Sequence, residues 1–166
     1  MTIKIVTDSS SDIPSDLASE LGIAIVPLYV TFGKDTYRDG VDIYPDQFYQ
    51  RLLTDPIHPT TSAASPGDFA EVYDKLSKEA DEIISIHVSR KASATWDAAM
   101  RGKEMIANTK CRIEVIDSRF VTLALGLVTI AAAKAANAGA GMQSIIDQVN
   151  EIIPRIKVYG VLDTLK

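Results

Sequence analysis

At 166 residues and 46% hydrophobic side chains, the chain is the size of one domain and can bury a sizeable core. A formal net charge of −5 with no Lys/Arg cluster argues against a nucleic-acid surface. The single cysteine, Cys111, excludes an internal disulfide framework and suits a reducing cytoplasm.

In chain order, residues 3–6 read as an apolar strand that empties into Thr7-Asp8-Ser9-Ser10-Ser11-Asp12. Pro14 and Gly22 then bracket a short helix with Leu17 and Leu21 one turn apart. Residues 23–32 are strand-like, with Pro27 marking an edge or bulge, and Asp39-Gly40 signals a tight turn in a small hairpin. Pro45 opens a helix carrying Phe48, Tyr49, Leu52 and Leu53, and Ser65-Pro66-Gly67-Asp68 reads as a capping box for the next, with Phe69, Val72, Tyr73 and Leu76 at helical spacing.

The second half repeats the alternation. Residues 82–88 form a strand, Ser93 caps a helix to about residue 107, and 112–116 form another strand. Residues 122–138 make an alanine-rich helix ended by Gly139; 142–153 make an amphipathic helix, and 155–162 a final strand. The expected fold is an α/β sandwich with a mainly parallel sheet flanked by helices. The stretch 120–133, broken by Thr122, Gly126 and Thr129, is too short for a membrane span. The amino-terminal residues have no basic-then-apolar leader, so a soluble cytoplasmic protein is expected.

Three strand ends share one character. Residues 3–6, 83–88 and 113–116 each run into hydroxyls and small residues, the second into Ser89-Arg90-Lys91-Ala92-Ser93-Ala94-Thr95 and the third into Asp117-Ser118. In open α/β sheets ligands sit beyond the carboxyl ends of the strands, where helix N-termini and hydroxyls can hydrogen-bond a carboxylate or phosphate. The same residue types serve as ordinary helix caps. Catalytic signatures are thin: no G-x-S-x-G elbow, Walker loop or G-x-G-x-x-G, and His58 and His87 are too far apart for a zinc-type cluster. His87 reads as a core or hydrogen-bonded histidine, Cys111 as a small core hydrophobe, and Asp8 and Asp12 as capping residues. No catalytic residue and no metal ligand are nominated.

Taken together, these segments resemble the DegV family of bacterial fatty-acid-binding proteins. The resemblance rests on Thr7 to Pro14, on Val26-Pro27-Leu28 with Tyr37-Arg38-Asp39-Gly40-Val41-Asp42-Ile43, and on Pro59-Thr60-Thr61-Ser62. Ser89 with Ser93-Ala94-Thr95, and Asp117-Ser118 with the helix after it, complete the set. The resemblance implies a long-chain fatty acid as ligand, no other cofactor, and a carrier that presents the acyl carboxylate to a fatty-acid kinase subunit. Its ligand-binding residues fall on Thr61, Ser62, Ser93 and Ala94, with Thr61 and Ser93 at the carboxylate. Three departures stand out: Ala94 where the family has glycine, Trp96 where it has tyrosine, and Ala63-Ala64 where a glutamine is expected. Residues 162–166 resemble the start of a motif that leads, in the family, into a second domain; the chain therefore reads as the amino-terminal domain alone, with self-association as a consequence. A phosphosugar or dihydroxyacetone-type enzyme using His58 is the alternative, and a ligand-free truncated scaffold a third.

Overall fold

The computed structural model describes residues 2–106 and 110–161. Its centre is a four-stranded parallel sheet of β1 (Ile3–Asp8), β2 (Ile23–Val26), β6 (Glu82–His87) and β7 (Arg112–Asp117), in the order β2-β1-β6-β7. Every residue of β6 is buried, its Glu82, Ser85 and His87 included, because a central parallel strand is covered on both faces. Alternate residues then part to opposite sides. Ile84 and Ile86 join Ile5 under α5 (Thr122–Asn137) and α6 (Met142–Ile152), where Leu125, Val128, Ile145 and Val149 are buried. Val6, Ile83 and Val115 face α3 (Pro66–Ser77) and α4 (Thr95–Met105), against Phe69, Tyr73 and Ala99.

Two glycines let these helices approach. A Cβ on Gly126 would lie 2.4 Å from the Ser11 carbonyl oxygen, and one on Gly102 would lie 2.5 Å from the Phe69 Cβ and 2.8 Å from the Pro66 carbonyl oxygen. Hydrogen at these positions is what allows α5 to sit on the turn after β1, and α4 on α3. The capping box of α3 forms as expected: Asp68 N donates to Ser65 Oγ at 3.2 Å, and Ser65 N donates to Asp68 Oδ2 at 2.7 Å. Gly22, at φ +68°, ends α1 (Ser15–Leu21), and Pro45 opens α2 (Pro45–Thr54).

A second, antiparallel sheet corrects the expectation of one strand over 23–32. Proline has no N–H for a ladder. The parallel pairing accordingly ends at Val26, and past Pro27 the chain turns into β3 (Tyr29–Phe32), which pairs with β4 (Asp35–Arg38) and β5 (Thr60–Ser62) in the order β4-β3-β5. The hairpin turn is Gly33-Lys34, with Gly33 at φ +64°, rather than Asp39-Gly40. Gly40 instead bends the loop that follows β4. That loop is held by a two-pronged ion pair from Arg38 to Asp42 at 2.9 and 3.0 Å, whose hydrogen bonds bring the Asp42 carboxyl down to about 2. β5 was not expected either; three polar residues carry no apolar alternation from which to read a strand.

The carboxy-terminal strand expected over 155–162 is not formed. Ile153–Arg155 make a 3₁₀ turn, residues 156–161 have no regular structure, and Val158, Tyr159 and Val161 are exposed. A strand needs a neighbour to accept its ladder, and among the described residues these have none; the last residue of that expectation lies outside the described range. Ser93 also differs from expectation. Residue 94 takes the N-cap position of α4, one place further on, and the expected end at residue 107 lies outside the described residues.

Candidate functional site at the carboxyl edge of the sheet

Parallel pairing puts the carboxyl ends of β1, β6 and β7 on one edge, and hydrogen bonds stitch their loops together. Ser118 N donates to the His87 carbonyl at 3.0 Å, and Ser89 N donates to the Phe120 carbonyl at 2.8 Å. Asp117 Oδ1 accepts from Arg119 N at 2.9 Å, folding its own loop. After β1 the chain makes a 3₁₀ turn, Ser9–Ser11, capped by Asp8, whose side chain accepts from Ser10 N. The expected capping role of Asp8 is therefore real, and it is only part of what Asp8 does.

Ser93 and Ala94 stand at the head of α4. The Ser93 amide returns to the Ser89 carbonyl at 3.0 Å, closing one turn of the loop. Its half-buried hydroxyl lies 2.8 Å from Thr95 Oγ1 and accepts from Thr95 N at 3.3 Å. Ala94 is exposed, with φ −78° and ψ 1°, a conformation open to any L-residue. Thr61 and Ser62 lie apart from them in sequence, both exposed on β5, where Thr61 is paired with Val30 and Ser62 with Tyr29. The two segments meet the same neighbour. β5 leads through Ala63, Ala64 and Ser65 into α3, and α4 packs on α3 at Gly102. Ala64 and Trp96, each three residues beyond its candidate hydroxyl, belong to one apolar cluster. Arg90 lies over the Trp96 ring at 4.1 Å.

A cavity of about 590 Å³ lies beside this edge, between the ends of β1 and β2 and the loop after β4. Ile13, Ile25, Pro27, Val41 and Tyr44 line it with Asp12 and Asp39, rather than Thr61, Ser62, Ser93 or Ala94. Burial and the neighbouring Asp39 raise the Asp12 carboxyl above its ordinary value. Two carboxylates disfavour an anionic head there. Among the described residues, no group of three or more His, Cys, Asp or Glu could hold a metal, and no helix is long and apolar enough to cross a membrane.

Beneath the loops runs a polar chain that sequence reasoning did not assemble. Tyr73 donates to Ser85 Oγ at 2.8 Å, Ser85 Oγ lies 2.6 Å from His87 Nε2, and His87 Nδ1 lies 2.9 Å from Asp8 Oδ2. Asp8 Oδ2 also accepts from Val88 N at 3.0 Å. All four side chains are fully buried, and His87 meets the Phe69 ring edge-on at 4.9 Å. Burial alone would push the Asp8 carboxyl up; His87, Ser10 and the Val88 amide together hold it below the ordinary carboxylate range. A Ser–His–Asp series resembles an activated nucleophile. Here Ser85 is sealed from solvent and already receives the tyrosine hydroxyl, so no substrate atom can reach it. One sequence signal was available: Ser85 and His87 are two apart, hence on one face of a strand.

The comparisons with known proteins bear on the chain and its fold as a whole. The family model described as "Uncharacterised protein, DegV family" matches residues 2–166. The chain belongs to the DegV family. A DegV domain-containing protein of Caldanaerobacter subterraneus is 45% identical over 163 residues, covering 98% of this chain and 57% of that protein. Among solved structures, the DegV family protein of Thermus thermophilus, described for its fatty-acid binding, superposes with a TM-score of 0.84 at 34% identity, covering 93% of this chain and 54% of that one. DegV of Bacillus subtilis, described as a fatty acid binding protein, gives a TM-score of 0.87 at 31% identity, with 93% and 54% covered. This DegV chain thus spans less than three fifths of the length of the curated relatives it matches.

Proposed function

We propose that this DegV chain binds a long-chain fatty acid, as a carrier rather than an enzyme, with the carboxylate held by Thr61, Ser62, Ser93 and the backbone at Ala94. The observation that carries the reading is the superposition of 93% of the chain on DegV proteins described as fatty-acid-binding. The physical support is the run of uncharged hydroxyls, Ser89, Ser93 and Thr95, at the start of α4 on the carboxyl edge, which suits a carboxylate head. A tail of about 16 carbons grosses roughly 12 kcal/mol at about 0.8 kcal/mol per methylene. Each head-group hydrogen bond adds about 1.5–3 kcal/mol. Affinity then comes from the tail, and the hydroxyls set its direction.

In this reading the chain corresponds to the amino-terminal domain of its longer relatives, works in the cytoplasm, and offers the carboxylate to a separate fatty-acid kinase. The exposed apolar side chains Leu123, Leu127, Tyr159 and Val161 favour association with another protein surface, a second copy of the chain included. Two measurements test the ligand. Mass spectrometry of lipid extracted from the purified chain should show a fatty acid, whereas a phosphosugar would favour the enzyme reading. Palmitate titration should show weaker binding for Thr61→Val and for Ser93→Ala, both with cooperative melts. Unchanged affinity in both variants would remove these residues from the site.

A further inference from the structure

We propose that the buried series Tyr73–Ser85–His87–Asp8 is a positioning device with a fixed order of protons, which sets the Ser93 loop against the segment that carries Thr61, with Asp8 as its positioning residue. The inference rests on the fatty-acid reading for its consequence, and for its proton order on the contact distances around an ionised Asp8 and a neutral imidazole.

The order follows from which groups can donate. An ionised Asp8 only accepts, so the atom facing it at 2.9 Å, His87 Nδ1, carries the hydrogen. In the neutral ring Nε2 is then a lone pair, and the hydrogen on the 2.6 Å contact belongs to Ser85. Ser85 Oγ in turn accepts from Tyr73 at 2.8 Å. Each buried hydrogen has one acceptor, and every bond points the same way, toward Asp8. Reversing any one of them strands a hydrogen in a dry interior, which is costly.

The elements joined are those that carry the candidate ligand residues. Asp8 closes β1 and holds Val88 N, the amide at the start of the Ser89–Thr95 loop, so the base of the Ser93 loop hangs on this carboxylate. Tyr73 belongs to α3, the helix that β5 enters directly after Thr61 and Ser62. The series therefore ties α3, β6 and β1 into one rigid unit. The spacing between Thr61 and Ser93 depends on it, although none of the four side chains reaches the surface.

Asp8→Asn tests this without changing size. Val88 N and His87 Nδ1 both meet Oδ2, and Ser10 N donates to Oδ1. An asparagine with its carbonyl at the Oδ2 place keeps the first two contacts but turns its NH2 onto Ser10 N. The opposite rotamer sets its NH2 against both Val88 N and His87 Nδ1, so either way one donor faces another at the head of the series. With the 166-residue chain carrying ¹⁵N-histidine, the imidazole shifts should report Nδ1–H at His87 in the parent, exposed His58 serving as reference. Palmitate affinity should fall about tenfold, on the scale of one mispaired hydrogen bond. Ser85→Ala, which interrupts the series without introducing a donor, should also weaken palmitate binding, and it carries the test if Asp8→Asn does not fold. An Nε2–H tautomer, or a ring carrying hydrogen on both nitrogens, in the parent overturns the proton order. Unchanged palmitate affinity in a folded Asp8→Asn, or in Ser85→Ala, overturns the positioning role and leaves the fatty-acid reading standing. A parent chain that does not bind palmitate removes both the reading and the positioning role.

Discussion

Asp8 shows how much one side chain can be asked to do. It caps the turn after β1, anchors the amide of Val88 and faces His87, all from a fully buried position. Because its folded carboxyl lies below the ordinary value, its ionised form stabilises the fold above that value, and the contribution is lost as pH falls through the folded one. Urea melts on an acid series should therefore show stability dropping below about pH 4, with a shallower acid limb in Asp8→Asn. Ala94 makes a second residue-scale case. Its φ of −78° needs no glycine, so the methyl is tolerated by the backbone and any cost falls on the ligand side. Ala94→Gly should shift palmitate affinity while moving stability by no more than about 0.5 kcal/mol, since glycine's chain-entropy cost is offset by its preference over alanine at an N-cap. Paired titrations and melts check this; equal affinities would count against a steric role for the methyl.

Among the elements, α3 to α5 are placed by contacts that leave no room for a side chain. Gly126→Ala would drive a methyl into the Ser11 carbonyl, and Gly102→Ala would drive one between Phe69 and Pro66. Each should cost about 1–3 kcal/mol in denaturant melts, the range for overpacking, despite alanine's better helix propensity. Ser65→Ala should cost about 1 kcal/mol by opening the capping box of α3. The capping box, the Pro45 start of α2 and the Gly22 stop of α1 were all legible in the sequence because each acts within one turn of chain. The fate of 23–32 was not. The pattern shows two apolar stretches around Pro27; which sheet each joins depends on partners elsewhere, β1 for one and β4 and β5 for the other.

For the whole molecule, helices cover both faces of the parallel sheet, Ser93 and Ala94 lie at its carboxyl edge, Thr61 and Ser62 lie on β5 of the second sheet, and Leu123 and Leu127 are exposed on α5. A single domain covers one side of an acyl tail. If half of the ~12 kcal/mol gross burial is available, the remainder must still offset at least about 4 kcal/mol of lost ligand freedom. A chimera extending this chain with the remaining length of the Caldanaerobacter relative should thus bind palmitate far more tightly than the 166-residue chain. Fluorescent fatty-acid titration of both, with sedimentation velocity to follow association, decides it. Equal affinities would place the whole pocket within this domain.

Hydrophobic period, caps and turn residues by themselves determined the alternating α/β order, the strand at β6 and the loops at the strand ends, since each depends on residues within a few positions of one another. The spaced motifs also carried the family, and with it the proposal of Thr61 and Ser93 as head-group residues. Only the tertiary structure decided that Thr61 sits on an edge strand of a second sheet, that the residues after 155 form no strand among those described, and that Asp8 and His87 face one another. The reason is distance along the chain. Asp8 and His87 are 79 residues apart, and a lone buried aspartate and a lone buried histidine look like a cap and a core residue until the sheet brings their atoms to 2.9 Å.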